Sequence, residues 1–298
     1  MRPLAGRRRD RALAPAPFVV GVGRSGTTLL RLMLDSHPQL AIPAETHFVP
    51  ELIERERECD NSAELVEVII AARTWDDFGL DPERLREAAA GAPGAAAVLR
   101  AFYGLCAEAQ GKPRWGDKTP GYVKRMRPIG GALEEARFVH LIRDGRDVAL
   151  SRLRRGMGEG KPIADVADLW RRRIENARRQ ARRLRGRYIE LRFEDLVADP
   201  APALRRVCDL VELEFDPAML LHDERAAERI GELGDLAADG GRRERDREER
   251  QAAHALAAQP PTSARTEVWR TEMSATDRAV FDGVAGGLLA ELGYDVPS

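Results

Sequence analysis

The chain reads as an α/β fold, a parallel sheet flanked by helices on both faces, and three observations predict it. The apolar segment Phe18-Val19-Val20-Gly21-Val22 runs into a glycine-rich turn and then a helix that continues through Asp35. A second strand, turn and helix follow at residues 136–142, Arg143-Asp144-Gly145-Arg146-Asp147, and Val148 past Ser151. A third strand, Arg187-Tyr188-Ile189-Glu190-Leu191, comes after a long arginine-dense helix over 164–185. Strands alternating with helices build parallel sheets, because a parallel crossover needs a connection of helical length.

The first turn carries chemistry. Gly21-x-x-x-x-Gly26 has the spacing of a P-loop, but Thr27-Thr28 stand where a nucleotide triphosphatase carries Lys and then Ser or Thr. Arg24 and Ser25 lie inside the loop. The helix that follows points free N–H groups and its positive dipole end back into the turn, which makes an anion site. The loop is therefore suited to a phosphate-bearing ligand without ATP or GTP hydrolysis.

Composition narrows the setting. A chain of 298 residues, 43% hydrophobic, forms one large domain or two small ones with a sizeable core. A net charge of −1 gives no global field to recruit nucleic acid or an anionic membrane. Cys59, Cys106 and Cys208 are odd in number, far apart and outside any metal-ligand spacing, which fits reduced thiols, a cytoplasmic location and no metal. Arg7-Arg8-Arg9 is not followed by an apolar segment of signal-peptide length, and no run approaches a transmembrane span.

In order, residues 1–16 are expected to be a flexible tail and 17–298 one domain. Pro38 stops the first helix, and Leu40-Ala41-Ile42-Pro43 is an extended piece that delivers Ala44-Glu45-Thr46-His47. Helices are expected over 51–59, 62–72, 81–90 and 91–110. Lys112 to Pro120 reads as a short strand and loop, 193–197 and 201–213 as helices, and 274–292 as the last helix. The polar, mixed-charge run 240–250, within 238–262, reads as a flexible insertion or loop. Ligands of such sheets sit at the carboxyl ends of the strands, so the loops after Gly21, Ile42 and Ile142 should meet Lys118 around one crevice.

Two strand-end loops thus offer anion-binding groups: Arg24, Ser25, Thr27 and Thr28 on one, Arg143 and Ser151 on the other. With these motifs in this order, the chain resembles the sulfotransferases that use 3′-phosphoadenosine 5′-phosphosulfate (PAPS), most closely a bacterial branch related to tyrosylprotein sulfotransferases, over about residues 17–298. Gly23-Arg24-Ser25-Gly26-Thr27-Thr28 is similar to the family's 5′-phosphosulfate loop, and residues 142–151 to its 3′-phosphate segment. The resemblance implies sulfuryl transfer from PAPS to a hydroxyl or amine acceptor, releasing adenosine 3′,5′-bisphosphate, without a metal. It assigns Arg24, Ser25, Gly26, Thr27 and Thr28 to the 5′ group, and Arg143 and Ser151, helped by Arg155, to the 3′-phosphate. Glu45 stands where those enzymes keep a catalytic base, and Lys118 where they keep a charge-stabilising lysine. Residues 260–270, with Arg265 and Arg270, resemble the family's C-terminal cofactor loop. Phe193 replaces a tyrosine whose hydroxyl touches the cofactor, and Tyr188 is a candidate substitute.

Other readings stand beside these. Glu45 could cap the following helix, His47 could be the base, and Lys118 could form an exposed ion pair with Asp117. His37 reads as a helix-end residue and His140 as a strand histidine. The arginine run at 171–183 reads as a solvated helix face or a greeting surface for an acidic acceptor. Rival functions are a P-loop kinase or nucleotidase, against which the missing lysine counts, and a catalytically inactive PAPS-fold binding protein.

Overall fold

A computed structural model describes residues 13–59, 61–156, 161–236 and 246–296. The strands are β1 Ala16–Gly21, β2 Leu40–Ala41, β3 Arg114–Trp115, β4 Asp117–Lys118, β5 Ala136–Ile142 and β6 Tyr188–Arg192. Four of them form one parallel sheet in the order β4-β1-β5-β6. The strands β2 and β3 pair separately, also parallel.

Side-chain alternation along β1 shows that both faces of the sheet are covered. Phe18 and Val20 point into a core with Phe138, Phe102, Leu99 and Leu184. Val19 points to the other face, among Val139, Leu141, Leu191, Leu30 and Met33. The helix Thr27–Asp35 packs on this second face, with Pro200–Val211 after β6. A third apolar cluster joins Trp170 of the helix Ile163–Ala181 to Phe281 of Ala275–Glu291.

Because β1 lies between β4 and β5, the loops leaving β1 and β5 emerge side by side at the carboxyl edge. Lys118, paired in register with Val19, reaches that edge from the other flank. The second loop is locked from below. Asp144 caps the helix Gly145–Leu153 by accepting from Arg146 N at 2.9 Å and pairs with the buried Arg146 guanidinium. Trp170 donates from Nε1 to the Arg143 carbonyl at 3.1 Å.

The strand over 136–142 lies where expected, and the long helix occupies Ile163–Ala181. Three differences bear on the site and its surroundings. The first strand begins at Ala16, inside the anticipated tail, whose residues 1–12 lie outside the described residues. The helix expected from Val148 starts at Gly145, because the Asp144 cap opens it one turn earlier. The stretch read as flexible over 238–262 contains the helix Arg247–His254, while 237–245 lie outside the described residues. Arg250 explains that helix: its guanidinium grips Asp77 at 2.8 and 2.5 Å, both side chains buried.

Candidate active site

The glycine loop wraps around a ring. Gly26 has φ 90°, a left-handed conformation, and a Cβ there would fall 2.3 Å from the Phe193 ring. Only glycine satisfies both demands. Phe193, the residue that lacks the family's hydroxyl, therefore supports the loop from beneath. The Arg143 guanidinium lies over the same ring, 4.9 Å from its centroid. Tyr188 does not take over the missing contact: its hydroxyl is spent on His140 Nδ1 at 2.7 Å and Glu190 Oε1 at 2.6 Å, at the start of β6.

The two strand-end loops touch. Arg24, itself at φ 82°, donates from Nε to Ser151 Oγ at 3.2 Å, and Arg143 Nη1 donates to the Arg24 carbonyl at 3.3 Å. Arg143 Nη2 also donates to the Arg265 carbonyl at 2.5 Å, which brings the C-terminal segment to the same place. Arg155 borders the cleft and reaches the Ala252 carbonyl at 3.4 Å. Ser25 Oγ and Arg143 Nε, one on each loop, are buried and have no hydrogen-bond partner among the described residues. Such atoms are costly unless a ligand satisfies them. Arg270 does not join them: it is held by Glu267 and Asp295, each at 2.9 Å, and lies over Trp269.

The carboxylate and the lysine meet at the mouth of the loop. Lys118 Nζ donates to Glu45 Oε1 at 2.5 Å and to Thr28 Oγ1 at 3.4 Å. Lys118 is 3% exposed and Glu45 27%, so the lysine is sequestered while the carboxylate keeps an open side. His47 Nε2 lies 3.2 Å from the other carboxylate oxygen. Burial pushes the Glu45 carboxyl up, but Lys118 and His47 more than offset it and hold the group well below the usual carboxylate range. Burial lowers the Lys118 ammonium, with Glu45 opposing. The capping alternative for Glu45 fails, since the helix Val49–Arg55 is capped from Phe48 with no side-chain bond. The Lys118–Asp117 surface pair fails as well, because both residues are buried and point to different partners.

Asp117 instead anchors the turn that carries Glu45 and His47. Its Oδ2 accepts from Thr46 Oγ1 at 2.7 Å, Tyr103 OH at 2.9 Å and Thr119 Oγ1 at 3.4 Å. The Tyr122 hydroxyl lies 2.8 Å from Thr46 Oγ1 and accepts from Val49 N at 3.0 Å. Held by this network, His47 adopts φ 59°, a strained value for a residue with a Cβ.

Sequence reasoning missed His254, whose Nδ1 lies 3.1 Å from Thr28 Oγ1. Burial, then the nearby Lys118 charge, pull its pKa down to about 3, so the ring is neutral at ordinary pH. Nothing in Gln251-Ala252-Ala253-His254-Ala255 signals this contact, made across 226 positions of sequence. By contrast His37 is a helix-end residue bonded to the Glu214 carbonyl at 2.9 Å, and His140 is buried within β5.

Arg24, Thr28, Glu45, Lys118, Arg143 and His254 line one cleft of about 640 Å³ at the carboxyl edge of the sheet. Among the described residues no cluster of three or more His, Cys, Asp or Glu is placed to hold a metal ion. Nor is any helix of the described residues long and apolar enough to cross a membrane.

The parallel sheet thus brings two touching strand-end loops and a lysine–carboxylate pair together at its carboxyl edge. The sequence pattern of the sulfotransferase family matches residues 15–217, more than half of the chain, and the protein belongs to that family. It is 26% identical over 229 residues to protein-tyrosine sulfotransferase 1 of Danio rerio, covering 75% of this chain and 59% of the relative. With the protein-tyrosine sulfotransferase of Drosophila melanogaster it shares 26% over 220 residues, 70% of this chain and 40% of that one. The chain thus spans between two fifths and three fifths of these relatives' lengths. Among solved structures, the sulfotransferase domain of the curacin biosynthetic pathway superimposes with a TM-score of 0.60 at 22% identity, covering 96% of this chain and 99% of that one. The sulfotransferase domain of the Synechococcus PCC 7002 olefin synthase gives 0.58 at 25% identity, covering 95% and 96%.

Proposed function

We propose that the protein transfers a sulfuryl group from PAPS to a hydroxyl acceptor, or an amine, with residues 17–298 as one catalytic unit. The observation that carries this reading is the Glu45–Lys118–Thr28 chain at the mouth of a loop tied by Arg24 to Ser151. Sulfuryl transfer is an in-line displacement, so the protein contributes position and charge more than covalent chemistry.

The donor sets fit the nucleotide. Arg24, Ser25 and the Thr27–Thr28 end of the helix would hold the 5′-phosphosulfate, and the orphaned Ser25 hydroxyl would gain a partner there. Arg143 and Ser151, with Arg155 beside them, would hold the 3′-phosphate. Arg265 would close over the nucleotide from the C-terminal segment, whereas Arg270 is left out of the assignment.

Glu45 would take the proton from the acceptor oxygen as that oxygen bonds to sulfur. Lys118 would meet the negative charge growing on the departing phosphate as the sulfur–oxygen bond breaks. In the free protein these two residues satisfy each other, which makes Glu45 a weak base. Engaging Lys118 with an anion at the loop would release the carboxylate, so base strength would rise only when donor is bound.

The experiment is transfer of labelled sulfuryl from PAPS across a panel of phenol, alcohol, sugar and tyrosine-peptide acceptors. The proposal expects labelled acceptor and a stoichiometric yield of adenosine 3′,5′-bisphosphate. Tight binding of that bisphosphate with no transfer to any acceptor would favour the inactive binding protein instead.

A further inference from the structure

The arginines of the helix Ile163–Ala181 separate once their partners are followed. Arg171 pairs with Asp168 at 2.8 Å and Glu175 at 2.9 Å, and Arg172 also reaches Asp168. Arg178 spans Glu190 at 2.8 Å and Glu291 at 2.6 Å. Arg173 has no acidic partner among the described residues and lines the active-site cleft instead.

Helical geometry shows which wall Arg173 occupies. Leu169, Arg173 and Gln180 fall within roughly 40° of one another at 100° per residue, so they share a face. Gln180 on that face donates from Nε2 to the Val123 carbonyl at 3.0 Å. Arg173 therefore shares the helix face that Gln180 turns toward the segment Pro120–Lys124, which begins two residues after Lys118. Leu169, Gly121 and Val123 line the cleft with it.

Arg152 reaches the cleft from the helix Gly145–Leu153. Its Nη1 lies 3.7 Å from where a Cβ on Gly23 would stand, and its Nε is buried with no hydrogen-bond partner among the described residues. The helices carrying Arg152 and Arg173 pack on each other through Val148, Ala149, Val166 and Trp170, and both arginines line the cleft; burial, then the charge of Arg173, lower the Arg152 pKa. Two such groups in a partly dry wall raise the energy of the empty cleft and favour an anion between them. In the proposed assignment the nucleotide's phosphates already have Arg24, Arg143, Ser151 and Arg155.

We propose that Arg152 and Arg173 form an anion subsite in the cleft wall beside the loop that would present the transferring group, where the acceptor must approach. The acceptor then carries, besides its reacting hydroxyl, a carboxylate or a phosphate held by paired guanidinium donors. This rests on the sulfotransferase reading, because it takes the nucleotide to fill the loop side.

The test is calorimetry on protein saturated with adenosine 3′,5′-bisphosphate, at fixed ionic strength, titrated with phenyl phosphate in one arm and phenylacetate in the other. Binding of either probe is expected, and the arm that binds more tightly names the anion. Arg173→Gln should weaken it about tenfold or more while bisphosphate affinity stays within about twofold. Arg173→Lys should recover part of the loss, and Arg152→Gln should show the same split if Arg173→Gln fails to fold. The proposal is overturned if neither probe binds, if the probe competes with the bisphosphate, or if both variants bind it as wild type does. Failure of the bisphosphate itself to bind would overturn the functional reading rather than this subsite.

Discussion

Lys118 Nζ lies 2.5 Å from Glu45 Oε1, although the two residues come from separate strand ends 73 positions apart in sequence. The contact joins the would-be base to the would-be charge stabiliser before any substrate is present, and it makes each residue's behaviour depend on the other.

Replacing Glu45 with Gln keeps shape and polarity and removes the proton acceptor. General-base catalysis contributes about 10²–10⁴-fold, so turnover should fall by roughly two orders of magnitude or more. Calorimetry should show nearly unchanged adenosine 3′,5′-bisphosphate affinity. His47→Ala, which removes the 3.2 Å neighbour, should remain active. The reverse pattern, an active Glu45→Gln and an inactive His47→Ala, would make His47 the base.

Lys118→Ala should lower turnover and also move its pH dependence. Burial pushes the Glu45 carboxyl up, and Lys118 is the largest influence holding it down. With the lysine gone, the folded-state pKa of Glu45 rises, so the base becomes protonated at higher pH. The acid limb of the pH–rate profile should shift upward relative to wild type. An unmoved limb would mean that Glu45 is not the titrating base.

Gly26→Val tests the loop. Its Cβ would meet the Phe193 ring at 2.3 Å and would have to adopt φ 90°. The variant should lose nucleotide binding and some stability, since strain of this kind costs on the order of 1–3 kcal/mol. The double variant Gly26→Val, Phe193→Ala relieves the clash but not the dihedral and should recover only part of the stability in chemical denaturation.

Asp117→Asn tests the network beneath the Glu45–His47 turn. Burial raises the Asp117 carboxyl to about 6 from an ordinary 3.8. Between those values the folded state binds the proton more tightly than the unfolded chain, so stability falls as pH rises from about 4 to about 6. At one pH unit per roughly 1.4 kcal/mol, the change attributable to this group is on the order of 3 kcal/mol. The amide of the variant does not titrate, so urea unfolding at pH 4.5 and 7 should show a smaller pH difference than wild type. Equal differences would mean that Asp117 ionises freely in the folded protein.

Much of this site could be read along the chain because its signals are local. Arg24 to Thr28 follow an unbroken apolar strand, and Arg143 and Ser151 lie eight residues apart across one helix start. What escaped is what depends on distant partners. The short strand expected within 112–120 is there, but as two strands of two residues each, β3 and β4, which only their pairing with β2 and β1 separates. The helix Arg247–His254 looks like solvated charge until Arg250 meets Asp77, 173 positions away. Arg270 carries the right charge in the right segment, yet Glu267 and Asp295 hold it outside the cleft. Arg173 is indistinguishable from its neighbours in sequence, and only its place in the cleft wall, without the ion pairs that Arg171, Arg172 and Arg178 make, sets it apart.

The central claim is that the loops after β1 and β5 form a single site for a nucleotide phosphorylated at both ends. Titration calorimetry with adenosine 3′,5′-bisphosphate and with AMP tests it directly. Arginine-to-phosphate bonds contribute roughly 1.5–3 kcal/mol, so the bisphosphate should bind at least about tenfold more tightly, and Arg143→Ala should erase most of that preference. Equal affinity of the wild-type protein for the two nucleotides would contradict the account.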